Sequence, residues 1–348
     1  TVSIFSCAIG DIVAWFLRAG AAAWTSGIVA ANIADAHEEV ALNTAFITHG
    51  DCQLHDMGAM HPECPQRLPA VQDQLIASGI SDHLDHIEAP MVTREQLERV
   101  HAPFYIDSVE EQSPRNGIVH LDPDTAMCPA SLQAALRAAG AGVLATDLVI
   151  LGKVGNAFCN VRPPGHHAVR DRAMGFCIFN SVAVAAAHAL EHHGLKRVAI
   201  VDFDVHHGNG TEEIFQDDER VMMVSTFQHP FYPYSGTEGR SERMVNIPLA
   251  AYSGGAEFRA AVENHWLPAL DRFKPEMLFV SAGFDAHRDD DLAMMKLVEA
   301  DYTWVTQQLR AVAARHCDGR IVSLLEGGYN LHALGRSATA HIKVLAGL

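Results

Sequence analysis

The sequence has no C-x-x-C pair, no internal repeat, no low-complexity tract and no excess of positive charge. Its seven cysteines (Cys7, Cys52, Cys64, Cys128, Cys159, Cys177 and Cys317) are scattered and odd in number. That excludes a disulfide framework and a cysteine-held zinc site. Cys159 and Cys177 stand in apolar surroundings and read as core thiols. The pattern fits a reducing compartment, so the expected location is the cytoplasm. Lys and Arg number 25 against 42 Asp and Glu, a formal charge of −17. A field of that sign repels nucleic acid, and no nucleic-acid partner is expected. Charged residues make up only 19% of the 348 residues and hydrophobic ones 49%, which excludes disorder and suits one large buried core. Histidine, by contrast, is plentiful at 21 residues and points toward metal chemistry.

The chain divides into residues 1–43, an apolar N-terminal extension, and residues 44–348, the chemistry-bearing domain. Ile12 to Ala34 is rich in Ala, Gly and Trp and nearly uncharged. It reads as a helical arm through which copies of the chain would form a homo-oligomer. A membrane segment or signal is the competing reading, so membrane contact stays open. Against it stand Asp11, Arg18 and the absence of a basic start.

From Thr44 the pattern is α/β. Ala45–Thr48, Arg197–Asp204, Val221–Thr226, Met277–Ser281 and Arg320–Leu325 read as strands. Pro69–Ser78, Ala134–Leu151, Ser181–His193, Gly210–Phe215, Gly255–Phe273 and Glu299–Arg315 read as helices. This alternation predicts a mostly parallel sheet covered on both faces, with its site beyond the carboxyl ends of the strands.

Five clusters fall at such ends or in Gly/Pro loops. Strand alternation places Asp202, Asp204 and His206 on one face. Two buried carboxylates converging with an imidazole are costly unless a cation neutralises them. Asp285, after the strand at 277–281, stands where a further ligand would come from a neighbouring strand. Asp204, His206 and Asp285 then leave room for water, as catalytic zinc sites do. His287 reads as a local or supporting residue. His166 and His167 sit together in a Pro/Gly loop and suit acid–base work if their pKa values differ; Asp202 would orient one ring and Asn209 the other. Tyr329, after Gly327 and Gly328, could donate to an oxyanion. Arg67, in His61-Pro-Glu-Cys-Pro-Gln-Arg, reads as either the floor of an acetate pocket or half of a structural ion pair.

In order along the chain, His-Pro-Glu-x-Pro-x-Arg (61–67), Arg-Pro-Pro-Gly-His-His (162–167), Gly-Phe-Cys-x-Phe-Asn (175–180), Asp-x-Asp-x-His-His-Gly-Asn-Gly (202–210), Ser-Ala-Gly-Phe-Asp (281–285) and Glu-Gly-Gly-Tyr (326–329) resemble the histone deacetylase-like proteins. The likeness is strongest to the class II branch and its bacterial relatives, among them acetylpolyamine amidohydrolases. It covers roughly residue 44 to the C-terminus. It implies an arginase/deacetylase α/β fold and one catalytic zinc held by Asp204, His206 and Asp285. It implies catalytic His166 and His167 paired with Asp202 and Asn209, and Tyr329 as oxyanion donor. It further implies a structural potassium ion near Asp202, Asp204, His206, Ser225 and Thr226. Gly175 and Phe176 would form one wall of an acyl-lysine tunnel and Phe231 or Tyr232 the other. Leu292 stands at the tunnel gate beside Asp289, Asp290 and Asp291, and Asp122 or Asp124 would supply a rim carboxylate. The implied reaction is removal of acetyl from acetyl-lysine or an acetylpolyamine. A relaxed acyl-ester or amide hydrolase, a catalytically silent binding protein and an arginase-like ureohydrolase are the alternatives. The intact ligand and catalytic set argues against the binding protein, and a ureohydrolase is expected to carry a binuclear manganese site with more acidic and histidine ligands than this set supplies.

Overall fold

The computed structural model describes residues 43–238 and 241–348. The expected oligomerisation arm lies outside them. Buried strands read as continuous apolar runs when both faces of a parallel sheet are covered. That is how the central strands read: β6 (Val198–Asp202), β7 (Val221–Gln228), β9 (Met277–Ala282) and β10 (Ile321–Leu325) are buried at every position. With β1 (Thr44–Thr48), β2 (Leu84–Glu88), β5 (Asn156–Cys159) and β8 (Met244–Leu249) they form an eight-stranded sheet, in which every pairing is parallel. The order is β2-β1-β5-β10-β9-β6-β7-β8. A two-residue ribbon, β3 (Val119–His120) with β4 (Ala126–Met127), stands apart.

Three sheet strands are not legible as apolar runs. β2 and β8 lie at the two edges, where half-exposed positions dilute the pattern, and β5 is only four residues long. The strand expected over 197–204 stops at Asp202. The helix expected over 255–273 is α7 (Gly255–Ala261), a π turn (Val262–Trp266) and α8 (Leu267–Phe273). Pro268 has no N–H to give the preceding turn, and the wider π turn absorbs that loss.

The helices α4 (Ser131–Ile150) and α5 (Ser181–Glu191) pack on one side of the sheet, and α8, α9 (Glu299–His316) and α10 (Leu331–Leu345) on the other. On β10, Leu324 meets α4 at Gly142, while the adjacent Ser323 bonds His341 of α10, as strand alternation requires. A Cβ on Gly140 would strike the carbonyl of Pro90, so glycine there lets α4 lie close to the chain entering from β2. α4 is long and apolar enough to cross a membrane, but its apolar residues are largely buried in this core.

Two core histidines give the fold an acid sensitivity. Burial pushes His341 down to about 3 and His101 down to about 4. Unfolding lets both take up protons below their ordinary value of about 6.5. Stability is therefore fully present above that pH and falls as the pH drops toward 4, by up to about 1.4 kcal/mol per pH unit for each residue. Urea midpoints of wild type and His341→Gln between pH 7 and 5 test this: the variant should show the shallower slope, and parallel slopes would refute the assignment.

Candidate active site

The loops leaving β5, β10, β9 and β6, the four middle strands, meet over their carboxyl ends. Asp202 is the last residue of β6, and beyond it the backbone forms two successive turns. Asp202 Oδ1 accepts the N–H of Asp204 at 3.1 Å, and Asp204 Oδ1 accepts that of His206 at 2.9 Å. These turns, rather than continued strand alternation, aim the three side chains. From β9, Asp285 accepts the N–H of Val205 at 2.9 Å. His206 Nδ1 then lies 3.1 Å from both Asp204 Oδ1 and Asp285 Oδ2.

Asp204, His206 and Asp285 each present a ligand atom within 4.8 Å of the others. Gly283 and Gly327 make the room: a Cβ on either would strike these carboxylates. Burial, followed by the repulsion of Asp204, pushes Asp285 up to about 7. Burial opposes charge on His206 too, but hydrogen bonds to Asp204 and Asp285 raise it to about 10. Two carboxylates clutching one imidazole proton form a donor set that suits a divalent cation. Beside it, Ser225 is paired with Asp202 across β6 and β7, and its Oγ is buried without a hydrogen-bond partner among the described residues. Thr226 next to it is also buried.

The loop after β5 carries both histidines. Glu326, just past β10, accepts the N–H groups of Gly165 at 2.6 Å and His166 at 3.1 Å, which fixes this loop to the centre of the sheet. His166 Nδ1 meets Asp202 Oδ2 at 2.9 Å, and His167 Nδ1 meets Asn209 Oδ1 at 2.8 Å. The two rings are 4.0 Å apart. Burial disfavours charge on both. For His166 the carboxylates of Asp202, Asp204 and Glu326 outweigh it and hold the ring well above its ordinary value. For His167 the neighbouring His166 and His206 add to burial and hold it well below. Adjacent imidazoles are thus driven apart in basicity.

Tyr329 follows Gly328, whose φ of 118° is open only to glycine at low cost. Asp290 takes the N–H groups of Tyr329 at 2.6 Å and Asn330 at 3.0 Å, and the Arg67 guanidinium stacks 5.1 Å from the phenol centroid. Burial, then the charges of Asp285 and Asp204, keep the hydroxyl well above its ordinary pKa, hence a neutral donor.

Arg67 and Arg162 both grip buried Glu63: Arg67 Nη1 at 2.9 Å and Arg162 Nη2 at 2.6 Å. Arg67 also donates to the carbonyl of Gly328 at 2.7 Å. The ion-pair reading of Arg67 is therefore present in the structure. Glu63→Gln would leave two buried cations without their carboxylate and should cost about 3–5 kcal/mol, read as a fall in urea midpoint. A loss below about 1 kcal/mol would show that the pair is dispensable.

The proposed walls stand beside these groups. Phe176 packs edge-on against Tyr329 at 5.9 Å, Phe231 stacks on His206 at 5.4 Å, and Tyr232 meets His167 edge-on at 5.3 Å. A Cβ on Gly175 would collide with the His167 ring. Asp124 is turned inward, accepting the Gly175 N–H at 2.9 Å and ordering this wall, while Asp122 in turn accepts the N–H of Asp124 at 2.8 Å. Leu292 lines a cavity of about 430 Å³ together with Pro62, Asp291 and Tyr329. Of the three acids beside it, Asp290 is committed to the Tyr329 loop, Asp289 reaches Arg336 at 3.3 Å, and Asp291 is exposed. His287 is buried and accepts the N–H of Asp289 at 3.1 Å, apart from the ligand cluster.

Glu326, Glu63, Arg162 and Asp290 have no role legible in the sequence alone. The first three lie inside the motifs already quoted, each a buried charge close in the chain to a residue singled out there.

The sheet order, with its polar cleft over the central strands, defines an arginase/deacetylase-type α/β protein. A family model described as histone deacetylase domain matches residues 61–345. A histone deacetylase-like amidohydrolase of Pseudomonas aeruginosa is 37% identical over 297 residues, spanning 83% of this chain and 78% of the relative. Human polyamine deacetylase HDAC10 is 35% identical over 333 residues, spanning 88% of this chain and 48% of that protein. The crystal structure of the HDA15 HD domain superposes with a TM-score of 0.82 at 36% identity, covering 88% of each chain. The chain belongs to the histone deacetylase family and is an enzyme of the deacetylase/amidohydrolase class.

Proposed function

We propose that this chain removes acetyl groups from acetylated amines, acetyl-lysine or an acetylpolyamine, with one zinc ion held by Asp204, His206 and Asp285. The observation that carries the reading is the convergence of those ligand atoms beside two histidines of opposed basicity and a neutral tyrosine hydroxyl. Zinc in such a site polarises the acetyl carbonyl and makes a water nucleophilic near neutral pH. His167, the less basic imidazole, takes a proton at Nε2, with Asn209 holding its Nδ1. His166, oriented by Asp202, supplies positive charge or the proton that leaves with the amine. Tyr329 donates its O–H to the developing oxyanion, and Arg67 supports the phenol from behind. Two of the five Arg67 N–H groups are free of the hydrogen bonds described, and they would meet departing acetate at the inner end of the site. The unpartnered Ser225 Oγ, with Asp202, Asp204, His206 and Thr226, suits a structural potassium ion.

Phe176 and Gly175 on one side and Phe231 with Tyr232 on the other would sandwich the acyl chain, and apolar Leu292 would stand at the gate. Asp122 and Asp291 are left to meet the cationic end of a substrate. The six described cysteines are free, which accords with a cytoplasmic setting.

Side-by-side hydrolysis of a fluorogenic acetyl-lysine peptide and N-acetylputrescine, with and without a hydroxamate, tests this. Hydroxamate-sensitive cleavage of either is expected, and the ratio selects lysine or polyamine. Cleavage of aryl esters alone would replace the proposal with a relaxed esterase.

A further inference from the structure

At the C-terminal ends of α4 and α5, and sharing no residue with the ligand cluster of the cleft, stands a second group of metal-type donors. The last turn of α5 carries His188 and, four residues on, its C-cap His192, followed by His193. An i, i+4 pair of histidines shares one helix face and can chelate a single ion. Asp147 on α4 completes the group, and one ligand atom from each of the four lies within 4.8 Å of all the others. Asp147 Oδ1 is 2.6 Å from His193 Nε2 and 2.8 Å from His188 Nε2. The His188 and His192 rings are stacked 4.7 Å apart, and His193 is 4.8 Å from His192. His188 is buried, Asp147 and His193 are half-buried, and His192 is exposed, so an ion has a path in from solvent.

The charge state of the group favours a cation. Burial opposes ionisation of Asp147, but the hydrogen bonds from His193 and His188 hold its carboxyl below the ordinary range. Burial, Arg99 and His192 together hold His188 below its ordinary value, so it is a neutral imidazole at pH 7. The carbonyl end of α5 adds negative potential where the cation would sit. Arg99 opposes full occupancy of the group. It donates to His188 Nδ1 at 2.8 Å, which leaves the His188 proton on Nε2, facing Asp147. A second carboxylate, Glu95, lies 3.5 Å from the same guanidinium and offers it another partner.

We propose that Asp147, His192 and His193 form a second divalent-metal site of the zinc class, with His188 entering as fourth ligand when Arg99 turns to Glu95. Imidazole-rich sets with one carboxylate suit zinc, copper or nickel rather than calcium or magnesium. To present a lone pair, His193 moves its proton to Nδ1, and its ring draws back from Asp147 Oδ1, now 2.6 Å from Nε2, to admit the ion.

The test is metal content of the full chain, equilibrated with zinc chloride and freed of excess by gel filtration. The expected result is one more zinc per chain in wild type than in His192→Ala/His193→Ala, with deacetylation rates alike. If the double variant folds poorly, His192→Ala alone serves, since that ring is exposed. Equal zinc content in wild type and variant would overturn the site. Arg99→Gln frees His188 Nδ1 to carry a proton, and should tighten zinc at this site about tenfold by isothermal titration, the scale of a supporting-residue change. Unchanged affinity would overturn the role of His188.

Discussion

Replacing Tyr329 with Phe should lower turnover of an acetylated amine by about 10²–10³, the scale of one oxyanion donor, with little change in KM. The expectation rests on three features. The hydroxyl is held neutral and therefore remains a donor. Its backbone is pinned by Asp290 and its ring is backed by Arg67, so the donor is preorganised. The ring makes a perpendicular contact with Phe176, which Phe retains. The variant should therefore fold and bind as wild type does, and the loss should appear in kcat. A loss under tenfold would remove Tyr329 from the chemistry.

Asp285→Asn should be the more severe change. The substitution keeps an oxygen for the Val205 N–H but removes the negative charge that faces His206. Loss of a ligand charge should weaken metal binding at this centre by more than about 100-fold, since changes in supporting residues alone cost 10–100-fold. Activity should vanish at stoichiometric zinc. Chelation of wild type should abolish activity as well, and added zinc should restore wild type but not the variant. Because the histidine group on α4 and α5 would still hold zinc, the readout is activity restored per zinc added. A variant as active as wild type at equal zinc would disprove the assignment of the centre.

The parts of this protein legible in its sequence share a physical cause. Central strands buried on both faces must be apolar throughout, and β6, β7, β9 and β10 were readable for that reason. The edge strands β2 and β8 face solvent in part, so their residues carry a weaker constraint and their pattern fades. The candidate site residues were readable because polar groups at the ends of apolar strands are costly without a task. His166, His167, Asp202, Asp204, His206, Asp285 and Tyr329 all lie at or just beyond such ends.

Local runs and short motifs carry the class of fold, the family and the residues that meet at the cleft. How those residues are aimed and supported depends on long-range contacts. Asx-type turns beyond Asp202, rather than a longer strand, direct Asp204 and His206. Glu326, 160 residues from His166, secures the histidine loop. Asp290 and Arg67 set the tyrosine, and Asp147 meets three histidines 41 to 46 residues away. Such pairings depend on which strands and helices become neighbours, and chain folding sets that adjacency at separations over which local sequence carries no signal.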